Sequence, residues 1–392
     1  MDLNRAPYLS NSTSNDLGVR FRTLVFIIAA TGALPQLQNR RRSVKKTFKA
    51  LWPYLRIVLS LLLLWLAARN IDWQALKETK IAIKPGWFAL ALALLIFANL
   101  LAVVRWGWIM RSMGLRLPIS RYITLYFAGG LINQGLPSTI GGDSYRAVEG
   151  SRLGVIRQRN VGQAAGTRTP TLSEELHQPI DLNRAPPRLR LGFISVALDR
   201  GLGLIGNNIL GALGLILGGV MIGPWGQSLG WWALGAMIAG AALASLLLGS
   251  PRTRVWIQKI LTKLGMPEAM PGLKTALGWP TVLPQLSISI CTHMIALTAF
   301  WCCLQAFGTT APFAALMVGL PALGLLMMLP ISISGWGLRE ATLSTTLALW
   351  GVDSGITVLA SVSFGIVTLV TYLPGAISLL QRRRQDDLST KH

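Results

Sequence analysis

Of 392 residues, 52% are hydrophobic and only 13% charged, with a mean hydropathy of +0.50, so the chain lacks the polar surface that a soluble globule of this length needs. Its 37 basic residues against 15 acidic give a formal charge of +22, which in a soluble protein would suggest nucleic acid. Here the basic residues sit in the connections between apolar runs, with no stacking aromatics interleaved in a polar domain, so the charge reads as loop residues that obey the positive-inside rule and attract anionic lipid head groups.

Several apolar runs approach the ~20 residues that cross a bilayer as helix, and the alternation of outer-membrane strands is absent. The predicted fold is therefore all-α: a polytopic helical membrane protein of about eight transmembrane helices, with one or two re-entrant or broken segments and a possible internal repeat. Residues 1–50 read as a basic, cytoplasmic N-terminal segment. Its apolar stretch at 21–34 is too short to span, and the order of a cleaved signal peptide is not met.

A transmembrane domain is predicted over 51–380. The first span is 51–68, with Trp52, Tyr54 and Trp65 near its ends. The second, 86–110, carries Arg105 beside Trp106 and Trp108; a snorkelling side chain at a helix end is the default reading of that arginine. The run 122–136 is short, and Pro137 ends it. Basic residues then crowd both the loop at 111–121 and the polar stretch at 146–190, so both belong on the cytoplasmic side. One complete span between them cannot satisfy that parity, whereas a re-entrant segment can.

Within the polar stretch, residues 157–190 read as a disordered loop insertion, in which Asp181 to Pro186 copies Asp2 to Pro7. The next spans are 193–222, with Asp199-Arg200 inside it, and 231–248. Arg252, Arg254, Lys259, Lys263 and Lys274 follow as a basic loop. Residues 282–307 and 312–329 form a further hairpin, which holds Cys291, Cys302, Cys303 and His293; with no converging ligand set, core packing is the default for all four. Arg339-Glu340 opens a short apolar helix to Trp350, the last span covers 355–380, and 381–392 is a basic cytoplasmic tail.

Two breaks stand out. Leu136 to Arg146 and Leu329 to Arg339 share Leu, Pro, Ile, Gly and Arg in one register when the chain is shifted by 193 positions. Paired Gly/Pro-interrupted segments are the best sequence pointer to a transporter site, because unwound backbone frees groups to face a substrate. Glycine permits close backbone approach, and an arginine at a helix start suits phosphate. The candidate substrate-binding residues are Asn133, Pro137, Gly141, Gly142, Asp143, Arg146, Asp199, Arg200, Pro330, Ser332, Gly335, Gly337, Arg339 and Glu340. No Walker loop, nucleophile elbow or HExxH helix occurs, so neither enzymatic activity, nor a metal, nor a cofactor is expected. Asp143, Asp199 and Glu340 could serve as acid and base, although spacing alone does not pair them.

Taken in order, these pieces form a recognisable set. Asn133 with Leu136-Pro137, Gly141-Gly142-Asp143 and Arg146 come first, preceded by Arg105-Trp106. Leu198-Asp199-Arg200 with Gly203-Leu204 follow, then Leu329-Pro330-Ile331-Ser332, Gly335-Trp336-Gly337, Arg339-Glu340-Ala341 and Leu373-Pro374-Gly375-Ala376. Over about residues 51 to 380 the chain resembles the transmembrane region of lysylphosphatidylglycerol synthases, a family that includes stand-alone flippase-like proteins. The resemblance implies a multi-pass protein of the bacterial inner membrane, with both termini cytoplasmic, that binds or moves phospholipid or polyprenyl-phosphate-linked substrates without hydrolysing ATP itself. Its implied partners are anionic or phosphate-bearing membrane lipids and a glycosyltransferase or lipid-synthesis protein. An alternative is an accessory subunit or membrane enzyme of a glycosyltransferase or lipid-modification pathway. The aminoacyl-transferase domain that follows the membrane region in bifunctional members is not expected in this chain, and the excess at 157–190 departs from the family's shorter loop.

Overall fold

Helix starts are set by prolines at four places: Pro85, Pro187, Pro224 and Pro251 each open a helix, where the missing N–H has no intrahelical partner to lose. A computed structural model of the chain describes residues 83–135, 140–153, 155–156, 187–218, 223–263, 269–278, 281–328, 332 and 334–380, with five positions between 58 and 69. In chain order the helices are α1 (Pro85–Ser112), α2 (Ile119–Gly135), α3 (Ile140–Leu153), α4 (Pro187–Leu217), α5 (Pro224–Gly249), α6 (Pro251–Lys263), α7 (Ala269–Leu277), α8 (Val282–Ala306), α9 (Phe313–Leu326), α10 (Leu338–Ala348) and α11 (Ser354–Tyr372). All lie in one unit, Ile57–His392. The predicted segments 1–50 and 381–392, most of 51–68, both copies of the Asp-Leu-Asn-Arg-Ala-Pro sequence, Pro137 and Pro330 lie outside the described residues.

Among the described residues, four helices are long and apolar enough to cross a bilayer: 85–112, 189–217, 282–306 and 354–372. The chain is an all-α, multi-pass membrane protein, and α1 shows why. Its buried stripe of Ala91, Leu95, Ala98, Ala102 and Trp106 is not backed by a polar face, and Leu90 and Phe97 face outward as lipid-facing residues would. By contrast α9, although apolar, has 14 residues, which at 1.5 Å each reach about 21 Å, short of a ~30 Å bilayer core.

Two small contacts fix the path of α2 and α3. Strand β1 (Leu115–Arg116), just after α1, pairs antiparallel with β2 (Val155–Ile156), just after α3, with Leu115 opposite Ile156. The chain thus returns to the end of α1 from which it left, and α2–α3 is a re-entrant hairpin. The second half does the same from the other end. Beside Gly218, past the end of α4, lie Trp350 after α10 and Ala314 at the start of α9, so α9–α10 also returns to its point of entry.

The halves run in opposite senses. The Lys84 N–H, at the start of α1, donates to the Ala306 carbonyl at the end of α8, at 2.9 Å, while α7, leading into α8, packs its Gly272 against Ser112 and Met113 at the far end of α1. Each half therefore consists of a long helix, a hairpin and a second long helix, α1 to α4 and α8 to α11, related by inversion across the membrane. Matching positions behave alike. Asp199 and Ser361 both bond the arginine of the neighbouring hairpin, and Gly203 and Gly365 both lie against a guanidinium.

Several expectations need correction. The polar stretch from Arg146 is not a loop: α3 runs to Leu153, with Glu149 and Arg152 paired at 3.1 Å along it and Ala147 and Ser151 packed on Gly192 of α4. Its polar residues are satisfied inside the protein, which a hydropathy reading cannot see. Helix α4 begins at Pro187, so the last four positions of the 157–190 insertion are helical; 157–186 lie outside the described residues. The basic loop at 252–274 is also largely helical, as α6 and α7. Cys302 and Cys303 are buried, but Cys291 is exposed on α8 and His293 lines the cavity described next, so neither is a core residue.

Candidate functional site

Left-handed backbone shapes the second break. Ser334, Gly335 and Gly337 all have positive φ, at 49°, 79° and 80°, so the chain turns sharply between α9 and α10. Glycine accepts this freely, whereas for Ser334 the conformation is strained. Ser334 is held there by its hydroxyl, which donates to Oε1 of Gln134, at the tip of α2, at 2.8 Å. The two hairpin tips, entering from opposite ends, therefore touch.

Between the tips lies a cavity of about 610 Å³. Asn133, Asp143, Arg146, Arg200, Ser332, Gly335 and Arg339 from the predicted set line it, together with His293, expected in the core, and Tyr126, Gln134 and Tyr372, which the sequence did not single out. Asp199, Glu340, Gly142 and Gly337 stand directly behind that lining, and Gly141 lies in the first turn of α3 beside Gly142. Pro137 and Pro330 are not described.

In the first half, one carboxylate holds two cations. Asp199 accepts from Nε of Arg105 at 2.9 Å and from Nη2 of Arg146 at 3.1 Å, and all three side chains are buried. Arg105 is therefore not a snorkelling residue: its guanidinium points into the protein, where Asp199 offsets its charge. Arg146 is also flanked by the rings of Trp106 and Tyr126, at 4.9 and 4.6 Å from their centroids. In front of this cluster Arg200 forms a fork with Asp143, at 2.8 and 2.9 Å, and Arg200 is 53% exposed.

The second half is built differently around the equivalent arginine. Arg339 lies over Trp336 at 4.9 Å and donates to its neighbour Glu340 at 2.9 and 3.0 Å, while Ser361 accepts from Arg339 and donates to Glu340. The other oxygen of Glu340 caps the N–H of Gly337 at 2.6 Å. Gly365 leaves the slot that the guanidinium fills, since a Cβ there would collide with it.

Both breaks were expected to leave free backbone donors. Instead the Gly142 N–H donates to Asn133 at 2.8 Å, and the Gly337 N–H to Glu340. The physical reason is that an unmet backbone group away from water costs several kcal/mol. What is left for a ligand is side-chain charge. Arg105, Arg146, Arg200 and Arg339 face Asp143, Asp199 and Glu340, which leaves one positive charge in excess, and Nε of Arg146 is buried without a partner. Among the described residues no group of His, Cys, Asp and Glu could hold a metal ion.

The cavity wall is apolar on the α9 side, through Leu320, Leu323, Met327 and Met328, and its rim at Met328 and Ile140 is exposed, at 63% and 69%. Such a site can take a charged group at mid-depth while an apolar tail leaves sideways. One signal could have found part of the missed set: Gly129-Gly130, which let α3 and Tyr372 pack closely. A family model described as Lysylphosphatidylglycerol synthase TM region matches residues 54–375. No curated protein and no solved structure matches the chain.

Proposed function

Because the chain belongs to the lysylphosphatidylglycerol synthase TM region family, membrane proteins of lipid modification or transport, we propose that it binds the phosphate of a phospholipid or polyprenyl-phosphate-linked substrate in the cavity between its hairpins and moves it across the bilayer without hydrolysing ATP itself. The observation that supports this most is the convergence of two oppositely entering hairpins on one cavity, with a buried arginine from each and one positive charge in excess. Inverted repeats that meet at mid-depth are the architecture of alternating access, because tilting one half against the other opens the shared site to either side.

Head group and tails divide naturally in this reading. The phosphate displaces the Asp143 carboxylate from Arg200 and reaches Arg146, and the one excess positive charge of the site offsets the added anion, while the acyl or prenyl chains leave past Met328 into lipid. We assign no acid or base to Asp143, Asp199 or Glu340, since a carboxylate held by a guanidinium is a poor proton acceptor. The same proposal places the protein in a bacterial inner membrane with both termini in the cytoplasm, where a glycosyltransferase or lipid-synthesis partner would supply substrate.

The test is reconstitution in vesicles carrying a fluorescent anionic phospholipid or polyprenyl phosphate in one leaflet. Movement should exceed that of protein-free vesicles, and Arg146→Gln or Arg339→Gln should slow it about tenfold or more, as expected for one charge-assisted contact of roughly 1.5–3 kcal/mol. If the folded wild-type protein moves neither lipid, or both variants move it at the wild-type rate, the reading fails.

A further inference from the structure

A second place where apolar walls meet cations lies outside the cavity. Helix α6 has no buried residue, although it carries Val255, Trp256 and Ile260, and Trp256 is 64% exposed. Between α6 and α7 runs a groove of about 910 Å³, walled by Trp256, Ile260, Met270 and Pro271 and edged by Lys259, Lys263 and Lys274. The three lysines are exposed, and among the described residues none of them forms a salt bridge.

The position of the groove says what meets it. α5 hands directly to α6 across Ser250 and Pro251, and Gly272 of α7 packs on Ser112 and Met113 at the end of α1, so the pair sits at the membrane boundary and not in open solvent. A 13-residue helix with four basic residues and no acid cannot cross the core. It has the make-up of a helix that lies in the interface, apolar on one face and basic on its flanks.

We propose that the α6–α7 groove is a binding site for an anionic phospholipid of the adjoining leaflet, with an acyl chain along Trp256, Ile260 and Met270 and the phosphate between Lys259, Lys263 and Lys274. Charge complementarity selects the head group, since a basic residue beside an anionic membrane surface contributes about 1 kcal/mol, or about fivefold in affinity. Apolar burial holds the chain. This site lies at the end of α1, apart from the mid-depth cavity, and does not depend on transport.

The experiment titrates the full-length, detergent-solubilised protein with phosphatidylglycerol and, separately, phosphatidylcholine, and counts bound lipid by native mass spectrometry. The wild type should retain phosphatidylglycerol more tightly than phosphatidylcholine, and the preference should weaken with salt. K259Q/K263Q/K274Q should lower phosphatidylglycerol affinity by at least tenfold, and Trp256→Ala should lower it with less effect on salt dependence. On an Arg146→Gln background, in which cavity binding is already weakened, the triple substitution should remove the same increment of phosphatidylglycerol binding as in the wild type, which separates the site from the proposed transport site. Unchanged affinity in the folded triple variant overturns the assignment, as does equal retention of the two lipids by the wild type. Full displacement by millimolar inorganic phosphate does so too, because it would mean an anion site without the groove.

Discussion

At the scale of single residues, Asp199 is the counter-charge on which the first half depends. It offsets both Arg105 and Arg146, and all three are buried. Asparagine has the same shape but no charge, so Asp199→Asn leaves the buried Arg105 guanidinium uncompensated and Arg146 with only Asp143, at 3.4 Å. Removing one partner of a buried pair costs about 3–5 kcal/mol. We expect a thermal unfolding midpoint well below the wild type in detergent, by differential scanning fluorimetry. Arg200→Gln is the contrast, because that arginine is half exposed and its pairing with Asp143 is screened, so its loss costs about 1 kcal/mol or less. If the two variants unfold at the same temperature, burial is not what distinguishes these pairs. The sequence showed Asp199 and Arg200 as neighbours of equal standing; that one points inward and the other to the cavity mouth follows from their 100° separation on α4, and only the packing of α1 and α3 decides which faces which.

At the scale of elements, the hairpins depend on glycine where backbone meets backbone. A Cβ at Gly142 would strike the carbonyl oxygen of Gly129 and the side chain of Asn133, so α3 could not keep its contact with α2. Gly365 is different in kind, because its missing Cβ faces the end of a side chain, Arg339, which can swing away. Gly142→Ala should therefore destabilise the fold by about 1–3 kcal/mol, the range of overpacked cores, and impair transport as well. Gly365→Ala should instead act through Arg339, lowering the melting temperature by loosening its buried pair with Glu340 and reducing phosphate-lipid binding. Melting and lipid-binding measurements on both variants test this, and the prediction is wrong if either variant melts like the wild type. Of these positions, Gly142 was legible because it sits in a Gly-Gly pair beside a charge, whereas Gly365 was not, since a lone glycine in an apolar helix is ordinary.

At the scale of the whole molecule, charge parity was enough to find the first hairpin. Basic residues on both sides of an apolar segment too short to be ignored demand a segment that turns back, and β1 pairing with β2 is that turn made visible. The repeat was harder to read. Arg146 and Arg339 are 193 positions apart, but Gly203 and Gly365 are 162 apart, because the first half carries extra residues between α3 and α4. The echo thus fades after the breaks, and the four-part correspondence emerges only from contacts. Inversion makes a geometric prediction that a parallel repeat does not. Arg121, at the start of α2, and Lys259, on α6, lie toward the end of α1, while Lys84 and Leu349, beyond the end of α10, lie at its start. Single cysteines at these four exposed positions, in a background without native cysteines, should label in two pairs with a membrane-impermeant maleimide: 121 with 259 from one face, 84 with 349 from the other. Labelling of 121 and 349 from the same face would mean that the hairpins enter together, and the shared cavity would then lie at one surface, where tilting the halves could expose it to one side only.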